Sequence, residues 1–85
     1  MKEDIGTSNN FIRLTMMNGN YIGNIDGNNI PNGYGELTLK QPNFDGMLFY
    51  CGQWVNGTMS GEGIMMFEKG RWYQGHVHKN VINGN

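Results

Sequence analysis

Apolar and polar positions alternate along much of the chain, and the pattern is clearest from Tyr50 onward. Tyr50, Gly52 and Trp54 occupy every second position, which is the period of a strand with one buried face. The dipeptide Asn56-Gly57 follows directly and is a strong signal for a tight hairpin turn. A second strand is predicted from Gly61 to Phe67. The pattern therefore predicts a β-hairpin.

The same pattern recurs on both sides of this hairpin. It starts again at Tyr73, 23 residues after Tyr50, and it also starts at Tyr21, 29 residues before Tyr50. In the unit that begins at Tyr21, one extra residue in the turn and a longer connection over residues 40–49 account for the larger spacing. Loops absorb such insertions at low entropic cost, and repeat arrays tend to use inserted loops for binding.

The stretch before Tyr21 is interpreted as the returning strand of an incomplete first unit. Setting Tyr21 on Tyr73 aligns Leu14 with Met66 and places this strand over Phe11 to Met17. Its outgoing partner is missing from the pattern. We therefore expect an open sheet edge at this end of the array.

Glycines recur at fixed places in the units, where another backbone or an aromatic ring must approach closely. We expect these structural glycines to be Gly23, Gly33, Gly35, Gly52, Gly61, Gly63 and Gly75.

The pattern divides the chain into a polar, flexible leader, a repeat array and a tail. The predicted segments are the leader at 1–10, a partial unit at 11–20, full units at 21–49 and 50–72, a truncated unit at 73–80 and the tail at 81–85. No returning strand is predicted after Val77, because His78-Lys79-Asn80 stands where the Asn-Gly turn is expected. The fold prediction is all-β: an elongated, single-layer antiparallel sheet of consecutive hairpins with little or no helix.

Composition narrows the classes of function. The 85 residues are 38% hydrophobic and 15% charged with 14 glycines, which fits an ordered domain with many tight turns rather than a disordered chain. A domain of this size leaves little room for a large enclosed active site. The net charge is −1 and the six Lys and Arg are scattered, which argues against nucleic acid as a partner. A single cysteine, Cys51, and the lack of an apolar leader favour a reducing, cytoplasmic location.

The tandem of Tyr-x-Gly-x-Trp-x-Asn-Gly, Gly-x-Gly and a short apolar strand resembles the MORN (membrane occupation and recognition nexus) repeat. The unit at 50–72 carries every element, whereas Ile25 and Val77 replace Trp in the neighbouring units. The resemblance implies a twisted ribbon of antiparallel hairpins and a binding or scaffolding role without enzymatic activity. It also implies dimerisation through array ends, cytoskeletal or peripheral membrane association, and recognition of phospholipid in some members.

The candidate binding residues are the aromatic side chains of the repeats. The set comprises Tyr21, Tyr50, Trp54, Trp72 and Tyr73. Strand alternation places most of them on one face, where packing between repeats explains them. The functional alternative is a shallow aromatic groove for a partner's side chains or an extended peptide.

Two further groups of residues suggest other chemistry. Lys69, Arg71 and Lys79 are candidates for contact with anionic lipid headgroups, although three charges give only weak attachment. His76 and His78 share a strand face and could ligate one metal for a metal-assisted enzyme, but a zinc site needs a third ligand such as Glu68 or Asp45. Solvated surface histidines are the simpler interpretation, so no metal or cofactor is predicted.

The leading functional hypothesis is a non-enzymatic protein-interaction module: an adaptor, scaffold or inhibitor. Docking is expected through the aromatic face, the inserted loops 26–32 and 40–49, or an open sheet edge. A homodimer would cover the exposed edges. The alternative is a peripheral phospholipid-binding module.

Overall fold

A computed structural model of the chain describes residues 11–82. Its strands form one antiparallel sheet in which each strand pairs with its neighbours in sequence. They are β1 (Phe11–Met16), β2 (Gly19–Ile25), β3 (Pro31–Leu39), β4 (Met47–Val55), β5 (Thr58–Phe67), β6 (Trp72–His78) and β7 (Val81–Ile82). Helical structure within residues 11–82 is limited to a three-residue 3₁₀ turn at Glu68–Gly70. The predicted all-β, single-layer sheet of consecutive hairpins is confirmed, whereas the leader predicted at 1–10 lies outside the described residues.

Strand pairing divides the side chains between two faces of the sheet. We call the face that carries Tyr21, Tyr50 and Tyr73 the inner face, and the opposite one the outer face. The sheet extends 43 Å along its longest axis and 27 and 22 Å along the others. Its buried hydrophobic side chains form a single cluster of Tyr21, Met47, Tyr50, Trp54, Met59, Met65 and Val77. A single sheet therefore builds its core from one face.

Each repeat tyrosine lies over glycines of its own and the neighbouring strands. Tyr50 packs where a Cβ on Gly63 would lie, and Tyr73 packs in the same way over Gly75. Each tyrosine hydroxyl also donates a hydrogen bond to the carbonyl three residues later: Tyr21 to Asn24 at 2.6 Å, Tyr50 to Gln53 at 2.8 Å and Tyr73 to His76 at 2.9 Å. The Tyr-x-Gly pattern thus encodes both a steric fit and a hydrogen bond.

The first glycine of each Gly-x-Gly marks a bulge in the returning strand. Gly33 and Gly61 adopt φ values of +115° and +116°, a region that L side chains rarely occupy. At each bulge a side chain of the outgoing strand satisfies the displaced amide. Asn24 Oδ1 accepts from the Tyr34 N–H at 2.9 Å, and Gln53 Oε1 accepts from the Glu62 N–H at 2.8 Å.

The alignment of Leu14 with Met66 was wrong by one residue. In the sheet Leu14 pairs with Tyr21, as Met65 pairs with Tyr73, so Leu14 lies on the inner face. Leu14 and its partner Tyr21 are seven positions apart, whereas Met65 and Tyr73 are eight apart, so the β1–β2 turn is one residue shorter than its counterpart in the later unit. Because side chains alternate between faces, this one-residue difference exchanges the inner-face and outer-face residues along the whole of β1.

The prediction that no strand returns after Val77 was also wrong. The chain reverses at Lys79 and Asn80, and β7 pairs back onto β6. Lys79 and Asn80 have φ values of +50° and +71°, like the +50° and +85° of Asn56 and Gly57, so both hairpins use a turn with two positive φ angles. Asn80 is held there by Met59, whose N–H donates to Asn80 Oδ1 at 2.7 Å and whose carbonyl accepts from the Asn80 N–H at 2.8 Å.

Candidate docking groove

The candidate aromatic residues fall into a buried group and an exposed group. Tyr21, Tyr50 and Trp54 are at most 5% exposed. Trp54 stands edge-on between the two tyrosines, with ring centroids 5.1 Å from Tyr21 and 5.4 Å from Tyr50. Its indole N–H donates to the Gly35 carbonyl at 3.2 Å. These three rings pack neighbouring repeats together, in agreement with the interpretation that packing between repeats explains the aromatic residues. They offer little surface to a partner.

Burial also affects the ionisation of the core tyrosines. Desolvation raises the pKa of Tyr50 to about 12, and it raises the pKa of Tyr21 as well. Both hydroxyls therefore remain protonated donors across the physiological range. Their hydrogen bonds to backbone carbonyls are structural.

The other two aromatic candidates are more accessible. Tyr73 is half-buried against the core cluster, whereas Trp72 is 63% exposed on the outer face. Trp72 pairs across the strands with Met66, which in turn pairs with Phe49. The five predicted residues therefore do not line a common groove.

The inserted connection at residues 40–46 crosses to the inner face and is held at both ends. The Asn18 side chain donates to the Gln41 carbonyl at 3.0 Å and accepts from its N–H at 3.2 Å. The Asn43 carboxamide oxygen accepts from the Asp45 and Met47 N–H groups, each at 2.9 Å. The Gly46 carbonyl accepts from the Glu68 N–H at 2.8 Å. Hydrogen bonds to distant residues thus fix the connection in place.

The connection forms one wall of a cleft of about 450 Å³, which we call the inner groove. Its opposite end is closed by the hairpin turns at Gly57 and Asn80. Its lining is Met16, Asn18, Pro31, Leu37, Leu39, Asn43, Phe44, Asp45, Met47, Trp54, Gly57, Met59 and Asn80. A smaller cleft of 230 Å³ adjoins it and adds Met65 and Phe67. The volume falls within the range of ligand-binding clefts.

Phe44 is the most exposed aromatic residue at this groove. Its side chain is fully exposed at the tip of the connection, between Asn43 and Asp45. The Asn43 N–H donates to the Met47 carbonyl at 3.1 Å, and the Asp45 N–H donates to the Asn43 side chain at 2.9 Å. An apolar ring displayed on a fixed loop beside an apolar cleft is typical of a binding anchor. The sequence signal was available, because Phe44 is the sole apolar residue within Pro42-Asn43-Phe44-Asp45-Gly46, yet only the loop as a whole was predicted.

Methionines give the inner groove an adaptable lining. Met16, Met47 and Met59 contribute unbranched, polarisable side chains that repack around different shapes. Asp45 is the one charged residue in the lining of the groove. The groove is therefore apolar with a single negative charge at its rim.

The candidate lipid-binding cations do not form one patch. Lys69 and Arg71 lie at one end of β6, in the turn that contains Glu68, and Arg71 packs over the Phe67 ring at 5.2 Å. Lys79 lies in the turn at the opposite end of the same strand, and seven strand residues separate the two ends by about 23 Å. That distance exceeds the screening length of about 8 Å at physiological salt.

The two candidate metal ligands are exposed on the outer face. His76 pairs with Glu62, and His78 lies two residues further along β6. Within residues 11–82, no three His, Cys, Asp or Glu side chains cluster closely enough to hold a metal ion. Across the same residues, no helix has the length and apolar character needed to cross a membrane.

The lone cysteine takes part in a small polar cluster on the outer face. Cys51 Sγ lies 3.2 Å from the Tyr34 hydroxyl and 4.0 Å from a Glu36 carboxylate oxygen. The hydrogen bond with Cys51 raises the pKa of Tyr34. The Tyr34 hydroxyl therefore stays protonated and does not act as a base towards the thiol.

These features define a β-hairpin repeat protein: tyrosines packed over glycines, hairpins in series and an open inner face. Residues 50–70 match the family model of the MORN repeat, which confirms the resemblance seen in the sequence. No curated protein and no solved structure matches the chain. MORN repeats are generally modules for interaction with proteins or membranes rather than enzymes.

Proposed function

We propose that this chain is a non-enzymatic protein-interaction module that binds a peptide segment of another protein in its inner groove. The observation that carries the proposal is Phe44, a fully exposed aromatic ring held on an anchored loop at the rim of an apolar cleft. Aromatic anchors beside apolar pockets dominate the binding energy of many interfaces. Peptide side chains entering the cleft would meet methionines, which adapt to their shape.

The charge of the groove specifies the partner further. Asp45 is the single charged residue of the lining, so a Lys or Arg beside the apolar residues of the peptide would gain an attractive contact at the rim. An acidic peptide would face repulsion at the same place. The expected ligand is a short segment with two or more apolar side chains flanked by a basic residue.

Selection from a random peptide library tests this proposal directly. Trp72→Phe leaves Trp54 as the single tryptophan of the chain, and Trp54 lines the groove. Selected peptides should change its fluorescence on binding. Phe44→Ala should weaken their binding about tenfold or more, as expected for loss of an aromatic anchor.

Trp72→Ala is the matched control, because it removes an exposed aromatic residue from the outer face. It should leave peptide affinity unchanged. Peptides that bind Phe44→Ala as tightly as the unchanged chain would contradict the proposal. Failure to select any peptide, together with salt-sensitive flotation on anionic vesicles, would favour a membrane-surface function instead.

A further inference from the structure

Two asparagines of the inner groove have carboxamides whose orientation is set by backbone N–H groups. Asn43 Oδ1 accepts from the Asp45 and Met47 N–H groups, each at 2.9 Å. Asn80 Oδ1 accepts from the Met59 N–H at 2.7 Å. A backbone N–H can bond only to the oxygen of a carboxamide, so these contacts define which atom is the oxygen. The other atom, the Nδ2 amide, keeps its donors, and within residues 11–82 neither Nδ2 donates to another protein atom.

These two side chains lie where the two clefts of the inner face meet. The cleft of about 450 Å³ and the adjoining cleft of about 230 Å³ share five lining residues: Asn43, Asp45, Met47, Met59 and Asn80. Asn43 belongs to the connection that forms one wall, whereas Asn80 belongs to the hairpin turn at the opposite end. A peptide that fills both clefts therefore crosses their junction between the two amide groups.

The remaining polar side chains of the lining specify which acceptor suits these amides. Asn18 uses both its oxygen and its amide on Gln41. Asp45 contributes a carboxylate, which repels a second anion at the junction. The groove thus offers donors to an acceptor without charge. The main-chain carbonyls of a peptide are acceptors of this kind.

Free main-chain carbonyls distinguish an extended peptide from a helical one. In a helix the carbonyls are bonded within the segment itself. In an extended segment they are free, and successive carbonyls point to opposite sides of the chain. Side chains two residues apart then lie on one face, about 6.6 Å from each other, so that each cleft can receive one of them.

We infer that the inner groove holds its peptide in an extended conformation, with the Asn43 and Asn80 amides donating to successive main-chain carbonyls. This inference rests on the peptide-binding function proposed above and adds how the peptide lies in the groove. Hydrogen bonds to the main chain give affinity that does not depend on sequence. The apolar side chains that enter the two clefts give specificity.

Aspartate is the diagnostic replacement for each asparagine, because it keeps the oxygen that accepts from the backbone and removes the amide donor. Asn43→Asp and Asn80→Asp should each weaken the binding of selected peptides about fivefold, as expected for loss of one hydrogen bond. The added negative charge by itself would strengthen the binding of basic peptides, so long-range electrostatics does not imitate this loss. The tryptophan fluorescence titration described above measures it.

Asn24→Asp is the matched control. Asn24 Oδ1 also accepts from a backbone N–H, that of Tyr34 at 2.9 Å, but this side chain lies on the outer face. The substitution adds the same charge outside the groove and should leave peptide affinity unchanged. Circular dichroism checks that all three variants retain their strands.

Ester substitutions in the peptide test the main-chain contacts directly. Replacing one amide with an ester makes the carbonyl a weaker acceptor. Esters at two successive positions should lower the affinity for the unchanged chain. One of them should have a much smaller effect in Asn43→Asp, and the other in Asn80→Asp, because the weakened acceptor has already lost its donor. Peptides with an amidated C-terminus should bind as tightly as the free acids.

The outcomes separate this inference from the proposed function. If Phe44→Ala weakens peptide binding but either aspartate variant binds as tightly as the unchanged chain, the inference is wrong and the peptide-binding function stands. The same conclusion follows if the ester effects are not coupled to the asparagines. Loss of binding on amidation of the C-terminus would identify a terminal carboxylate as the ligand and would also overturn the inference. Failure to select any peptide would overturn both.

Discussion

Gly63 offers a stringent test of how the repeats pack. A Cβ at this position would lie 2.6 Å from Cζ and 2.5 Å from the hydroxyl oxygen of Tyr50, closer than real Cβ contacts come. The backbone φ of Gly63 is not positive, so alanine adds no backbone strain. Gly63→Ala therefore forces the Tyr50 ring to move, and any loss of stability measures that packing.

The size of the loss follows from two contributions. Moving the ring breaks the hydrogen bond from Tyr50 to the Gln53 carbonyl, which is worth about 1 kcal/mol. Overpacking a core by one methyl group costs a further ~1–3 kcal/mol. We expect the free energy of unfolding to fall by about 2–4 kcal/mol, a large part of the stability of a small domain. Urea unfolding followed by tryptophan fluorescence measures it.

Gly27 provides the matched control for this substitution. A Cβ at Gly27 meets nothing within 4 Å, so Gly27→Ala should be neutral or slightly stabilising. In a Tyr50→Leu background, Gly63→Ala should cost at least ~1 kcal/mol less than in the unchanged chain, because the clashing ring is gone. If Gly63→Ala and Gly27→Ala agree within about 0.5 kcal/mol, the steric explanation of the Tyr-x-Gly pattern is wrong.

Two further predictions concern Tyr50 and Asn80. The pKa of Tyr50 is raised to about 12 from an ordinary value near 10. The protonated Tyr50 hydroxyl therefore stabilises the fold fully below about pH 10, and this stabilisation is lost as the pH rises towards 12. Tyr50→Phe should flatten the alkaline decline in the thermal unfolding temperature, and an unchanged decline would contradict this prediction. Asn80→Gly keeps the positive φ but removes the side-chain acceptor of the Met59 N–H, and should lower the free energy of unfolding in urea by about 1 kcal/mol. Asn80→Ala should cost more, since it adds backbone strain, and equal losses would show that the turn conformation contributes little.

Local patterns were sufficient for most of the architecture. Tyr50, Gly52 and Trp54 share one face because side chains of a strand alternate, and that period depends on no distant contact. Asn56-Gly57 gave the hairpin turn because both residues tolerate positive φ. These features are properties of a few neighbouring residues, so the strands β1 to β6 and their order could be predicted from the chain alone.

The register at both ends of the array could not be derived in this way. Leu14 reaches the inner face because the β1–β2 turn is one residue shorter than its counterpart, and pairing with Tyr21 decides this. Lys79 and Asn80 carry no Asn-Gly signal, yet they form the same kind of turn because the backbone and side chain of Asn80 bind Met59, 21 residues away. Long-range hydrogen bonds overrode the local preference.

The candidate site, like the fold, could be predicted only in part from the sequence. The sequence by itself determined that the repeat aromatics would pack together and that the insertion at 40–49 was a candidate for binding. Only the tertiary structure decided that this insertion lies across the inner face, because Asn18 fixes Gln41 from 23 residues away and Gly46 accepts from Glu68. That placement brings Phe44 to the rim of a cleft lined by four different strands, a proximity that no local pattern encodes.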